Sequence, residues 1–191
     1  MKSDTLIGKL VRLAAVDPRE IAEATVRWNR DSEYQRLAMI EPANQYSLKM
    51  LTEWGEKDQE KDPPGFYFFA IRELTTDRLL GSCGLGGDFY PHGEGFVGIG
   101  IGVREDWNKG YGTDAMLVLL GFAFEEFNLR RVALSTFEHN LRGVRSYEKA
   151  GFIYEGKQRA YVLRDGQRNS VVFMGILREE WFALANPARV S

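Results

Sequence analysis

Phe96-Val97-Gly98-Ile99-Gly100-Ile101-Gly102-Val103 alternates with a period of two, so that Val97, Ile99, Ile101 and Val103 fall on one face of a strand and Gly98, Gly100 and Gly102 on the other. Glycine weakens a strand, so a face carrying only glycines predicts that another backbone, a packed helix or a thin ligand lies against it. The glycines sit inside the strand, not in a turn leading into a helix, and this excludes the dinucleotide fingerprint of a doubly wound fold.

The chain continues as Arg104-Glu105-Asp106-Trp107-Asn108-Lys109-Gly110-Tyr111-Gly112-Thr113, followed by Met116, Leu120, Ala123 and Phe127 at helical spacing. The order is strand, glycine-containing loop, helix start. Gly110 and Gly112 allow main-chain N–H groups to turn inward at the positive end of the helix dipole, a recurrent way to hold a phosphate or pyrophosphate, and Lys109 adds a charge. The Gly-Lys-Ser/Thr ending of a nucleoside-triphosphate loop is missing. A strand over 129–137 comes next, then Glu138-His139-Asn140, with Asn140 as N-cap of a helix to Ala150 that Gly151 closes. Asn140 and Tyr147 are two turns apart and share a face; capping by Asn140 and packing by Tyr147 are the alternatives to a functional role.

Upstream, 9–13 reads as an edge strand, Asp17-Pro18 opens a helix to about Asn29, and 44–57 is helical with an apolar stripe of Leu48, Leu51 and Trp54. The charge run Asp58 to Asp62, stopped by Pro63-Pro64, reads as a solvated loop. Residues 65–71 are apolar at nearly every position, which predicts a central strand covered on both faces, and 79–85 pairs back on it as a hairpin. Cys83 lies in that arm and is given no role. Segments 152–163 and 169–177 form a closing hairpin around Asp165-Gly166.

Composition narrows the function classes. The 191 residues hold 25 Lys+Arg and 27 Asp+Glu, a formal net charge of −2, so no global positive field draws in nucleic acid. A single cysteine and two histidines, His92 and His139, leave no basis for a disulfide framework or a Cys/His metal centre, and the metal expectation is none. No stretch has the apolar length of a signal peptide or membrane span, so no membrane association and a cytoplasmic location are expected. Without repeats or a long linker, residues 1–191 read as one domain.

Together these segments resemble the GNAT superfamily of acetyl-CoA-dependent N-acetyltransferases. Trp107-Asn108-Lys109-Gly110-Tyr111-Gly112 is similar to its Q/R-x-x-G-x-G/A signature, and Asn140 to Phe152, NLRGVRSYEKAGF, is similar to its N-x-R-A-x-x-x-Y-E-K-x-G-F segment. Leu6 to Leu13 resembles the branch holding the ribosomal-protein N-terminal and spermidine acetyltransferases. Trp107 replaces the usual Q/R, which leaves main-chain contacts there, and Phe96 stands where relatives often carry Glu, so a base must come from elsewhere.

The resemblance implies an α/β fold: a central mixed, mostly antiparallel sheet of six or seven strands with helices on both faces, splayed between strands 4 and 5. It implies direct acetyl transfer from acetyl-CoA, without a metal, to a primary amine: a protein N-terminus, a polyamine or another small amine. Tyr147 is then the general acid, Asn140 orients the arm or a water, and Glu138, His139, Glu94 or Asp88 takes the amine's proton, with Glu138 preferred. Cofactor contacts fall on Ile101, Gly102, Val103, Asn108, Lys109, Gly110, Tyr111, Gly112, Thr113, Asn140, Arg142 and Tyr147. Main-chain N–H near Gly102 or Val103 meets the oxyanion, and Arg104, Lys109, Arg142 or Arg145 the 3′-phosphate. A small-molecule or peptide amine is the expected partner, with a homodimer plausible and nucleic acid excluded. The alternative function is a non-catalytic acyl-CoA sensor or interaction module.

Overall fold

Short polar side chains set the helix starts. Asp17 accepts from the amides of Arg19 and Glu20 to open α1 (Pro18–Trp28), Asp31 from those of Glu33 and Tyr34 to open α2 (Ser32–Ala38), and Ser47 from that of Met50 to open α3 (Leu48–Gln59). The computed structural model describes residues 4–60, 65–87, 89 and 91–185. The remaining helices are α4 (Tyr111–Gly121), which widens into a π turn over Phe122–Glu126, α5 (Leu141–Lys149) and α6 (Arg178–Ala185).

One seven-stranded sheet runs through them: β1 (Val11–Ala14), β2 (Phe66–Glu73), β3 (Leu79–Gly86), β4 (Glu94–Ile101), β5 (Arg131–Phe137), β6 (Ile153–Arg164) and β7 (Gln167–Leu177). Its order is β1-β2-β3-β4-β5-β7-β6, and every neighbouring pair is antiparallel except β4–β5. Asp165 (φ 50°) and Gly166 (φ 74°) form the two-residue turn between β6 and β7 that their dipeptide predicts. The principal core lies between the sheet and α4, where Met116, Leu119, Leu120 and Phe124 are fully buried with Ile71, Leu85, Val132 and Ile176.

Three expectations are corrected here. β2 sits next to the edge strand, and Phe66 and Phe68 remain 37% and 42% exposed. Their face of the sheet is covered by α1 and α2 only at its far end, where Trp28 lies on Gly102 and Tyr34 over Gly100. The stripe of α3 is not a buried one, since Leu48 and Trp54 are exposed and no residue of that helix is buried. Asp58, placed in a loop by its charge run, continues α3; residues 61–64, the rest of that run and Pro63-Pro64, lie outside the described residues.

Candidate functional site

The two parallel strands separate soon after they meet. Only Glu94, Gly95 and Phe96 of β4 pair with β5, opposite Arg131, Val132 and Ala133. On the other side of β4 the Gly102 amide donates to the Leu80 carbonyl at 2.9 Å, and the antiparallel register then turns the even-numbered residues toward β3. The main-chain groups of Val97, Ile99 and Ile101 therefore point into the gap left by β5. The sheet carries an open edge in its middle.

That edge leads to the start of α4. Asn108 (φ 63°) and Gly110 (φ 90°) both adopt left-handed backbone, which folds the loop so that the first turn of α4 faces the gap. No side chain caps this helix. The amides of Tyr111, Gly112 and Thr113 have no intrahelical acceptor and sit at the positive end of the dipole. The start is pinned from behind by Asp114, nearly buried, whose carboxylate accepts from the amides of Lys9 at 3.1 Å, Leu10 at 2.8 Å and Val11 at 3.1 Å. In front, Asp106 is 3% exposed and takes a two-pronged bond from Arg78 at 2.6 and 2.9 Å, which fixes the loop to the β2–β3 turn.

A cavity of about 740 Å³ occupies the gap. Of the residues expected to serve it, Ile101, Asn108, Gly110, Tyr111, Gly112, Thr113, Asn140, Arg142 and Tyr147 lie on its wall. Gly102, Val103, Lys109 and Glu138 do not, and each has a physical reason. Gly102 is buried beneath the Trp28 indole, and its N–H is spent on Leu80, so this glycine serves helix packing, while Gly100, beside Tyr34, also lines the cavity. Val103 lies past the end of β4, and its carbonyl accepts from the Asp106 amide at 3.1 Å. Lys109 turns back to Asp106 at 3.4 Å. Glu138 is exposed and bonded to Lys157 at 2.5 Å, which holds its carboxyl below the usual glutamate range and makes it a poor proton acceptor.

The other proposed bases separate as well. Glu94 pairs with Arg131 at 3.2 Å, at the closed end of the β4–β5 fork, and Asp88 lies outside the described residues. His139 stacks on the buried Phe137 ring, with centroids 5.5 Å apart, and lines a second cavity beside Asn140.

On α5, the Asn140 side chain caps its helix by accepting from the Gly143 amide at 3.1 Å and donates to Thr136 Oγ1 at 3.3 Å. A Cβ on Gly143 would strike that amide at 2.6 Å, so the glycine there accommodates Asn140 itself. Tyr147, half-buried, rests edge-on against Phe152, and burial pushes its phenol up to about 12. Among the described residues its hydroxyl has no hydrogen-bond partner.

Trp107 contributes more than main chain. Its indole N–H donates to the Ile101 carbonyl at 2.8 Å, and the Arg142 guanidinium lies over its ring at 3.7 Å from the centroid. Arg104 is committed to Asp31 and to Glu33 at 2.6 Å, whereas Arg142, Arg145 and Lys149 form no ion pair among the described residues, Glu33 acting on Arg142 only through space. The wall also includes Tyr34, Leu37 and Ala38 of α2, a helix absent from the sequence reading; its signal is Asp31 as an N-cap ahead of Glu33.

Residues 11–153 match the family described as Acetyltransferase (GNAT) domain. The chain belongs to the GNAT acetyltransferase family. It is 30% identical over 164 residues to the "Probable N-acetyltransferase YjcK" of Bacillus subtilis, covering 79% of this chain and 86% of that one. It is 26% identical over 113 residues to an uncharacterized N-acetyltransferase, p20, of Bacillus licheniformis; the match takes in 59% of this chain and 63% of p20. In fold it is similar to a spermidine N-acetyltransferase from Vibrio cholerae crystallised with CoA and spermine, with a TM-score of 0.79 at 22% identity over 91% of this chain and 98% of that one. The sheet order and the single parallel junction are thus those of a GNAT fold. Among the described residues no group of His, Cys, Asp and Glu side chains could hold a metal ion, and no helix is long and apolar enough to cross a membrane.

Proposed function

We propose that this GNAT chain transfers an acetyl group from acetyl-CoA directly to a primary amine in a cytoplasmic setting. One observation carries the reading: the unpaired edge of β4 runs straight to the uncapped start of α4, and both share one cavity with Tyr147. Val97, Ile99 and Ile101 offer strand-like donors and acceptors to an extended, amide-bearing arm, although the Ile101 carbonyl is already taken by Trp107. The amides of Tyr111 to Thr113 suit a pyrophosphate, and Arg145 and Lys149 suit a further phosphate.

Acetyl-CoA supplies an activated thioester carbonyl, and the chain supplies position and proton handling. The amide of Ile99, on the open β4 edge and on the cavity wall, replaces Gly102 and Val103 as donor to the developing oxyanion. An alkyl amine titrates near about 10.4 and must lose a proton before it can attack. Among the described residues, His139 is the one of the bases considered that lies on a cavity wall, and an imidazole nitrogen can accept that proton. Tyr147, held protonated at neutral pH, donates its O–H to the departing sulfur, and the proton it gives up is restored by the one the new amide nitrogen sheds.

The test is release of free thiol from acetyl-CoA in the presence of an amine panel, with CoA binding followed in parallel by calorimetry. Amine-dependent thiol release supports the reading. Tight CoA binding with no release for any amine shifts it to the sensor alternative, and no binding removes both.

A further inference from the structure

A second cavity of about 460 Å³ adjoins the first and shares Leu37, Asn140 and Arg142 with it. Its titratable and charged walls come from three places: Glu33 and Arg36 on α2, His139 and Arg142 around the start of α5, and Arg164 and Asp165 at the β6–β7 turn. Both carboxylates are engaged. Glu33 pairs with Arg104 at 2.6 Å, and Asp165 takes the two terminal nitrogens of Arg36 at 2.8 and 2.9 Å. Arg164 donates to the carbonyls of Met39, Ile40 and Glu41 at 2.7, 3.0 and 2.8 Å. Arg142 lies over the face of Trp107 and forms no ion pair or hydrogen bond with a carboxylate among the described residues; Glu33, held by Arg104, acts on it only through space. In the first cavity the carboxylates are equally occupied, Asp106 by Arg78 and Asp114 by three amides.

Resting on the transfer reading above, we propose that the second cavity receives the acceptor, and that this acceptor is an amine carrying its own carboxylate, held by Arg142. A polyamine would have to bury further ammonium groups against three guanidiniums with no carboxylate left to pair them, an arrangement that rejects it. A carboxylate supplies the planar partner that a stacked guanidinium lacks and can be held by two parallel N–H bonds. The same positive wall lowers the pKa of a bound ammonium, which favours the neutral nucleophile. Arg145 and Lys149 line only the first cavity and are left for the donor's phosphates. The likeness to the spermidine enzyme, at 22% identity, is one of fold.

The experiment is calorimetry on the CoA-loaded protein with alanine, phenylalanine and glutamate, each against its own primary amide, and with spermidine. The acids are expected to bind about tenfold or more tighter than the amides, the scale of a charge-assisted two-pronged contact. Arg142→Gln is expected to bring that ratio to about 1, with every titration made at saturating CoA so that any change in CoA affinity does not enter, and Arg142→Lys, which keeps the charge without the fork, to fall between. Equal affinity of acid and amide, spermidine binding tighter than every acid, or an unchanged ratio in Arg142→Gln each overturns the proposal. Binding is read without turnover. A protein that selects acids but releases no thiol therefore removes the transfer reading alone, whereas one that acetylates only polyamines removes the acceptor class alone.

Discussion

The Trp28 indole fills the space that a Cβ on Gly102 would need, and the carbonyl edge of Leu80 holds the same glycine by its N–H. Four residues earlier, on β4, Gly98 has nothing within 4 Å of that position. Gly102→Ala is therefore expected to lower stability by about 1–3 kcal/mol, from overpacking against a rigid ring, whereas Gly98→Ala stays within about 0.5 kcal/mol. Urea unfolding of both variants checks this, and equal losses would mean that the glycines are not sorted by helix packing.

Tyr147→Phe removes a hydroxyl and leaves the ring on Phe152. It is expected to lower kcat by about 10²-fold, within the general acid–base range, with CoA affinity unchanged. Steady-state kinetics on any accepted amine, with calorimetry alongside, separates the two quantities. Unchanged turnover takes Tyr147 out of the mechanism.

At Gly112 an added Cβ would sit 3.7 Å from Ile101 Cγ1 and 3.9 Å from Ser146 Oγ, ordinary contact distances. Gly112→Ala is thus expected to fold and bind CoA, while Gly112→Glu places a carboxylate among the free amides of α4 and weakens CoA by about 100-fold or more. Matching thermal melting of the two variants would show that the loss is electrostatic and not a folding failure. Normal CoA affinity in Gly112→Glu contradicts the loop's assignment.

Asp31 caps α2 and pairs with Arg104, and chiefly through that pairing its carboxyl is held down to about 2. The folded value lies below the unfolded value of about 3.9, so the stabilisation is present above pH about 4 and is lost as pH falls toward 2. Asp31→Asn keeps the cap and removes the charge. Its deficit against the parent, up to about 2 kcal/mol at neutral pH, is expected to shrink between pH 4 and pH 2. Denaturant titrations at pH 7 and pH 3 measure it, and a deficit independent of pH would show that the ion pair contributes nothing.

What could be read in the sequence is what short-range chemistry decides. The period-two run of β4, the Asn140 to Gly151 bounds of α5 and the Asp165-Gly166 turn all appear as expected because their determinants are only a few residues apart. The misplacements are long-range. The bare face of β4 was open to a helix or a ligand, and only packing of Trp28, seventy-four positions earlier, decides for the helix at Gly102. Nothing near Glu138 in sequence marks it as paired, and it is β6 that brings Lys157 against it. The α2 wall, with Tyr34 raised to about 12 by burial, depends on where a short helix docks, and no local pattern states that.

The fork between β4 and β5 leaves the protein one partner short of a complete sheet along three residues of main chain. A guest whose amides fill that vacancy acts as a borrowed strand, stitching the β1–β4 half to the β5–β7 half from within. On the transfer reading proposed above, resistance to heat is expected to rise with the supply of donor, and a starved protein to be a softer one.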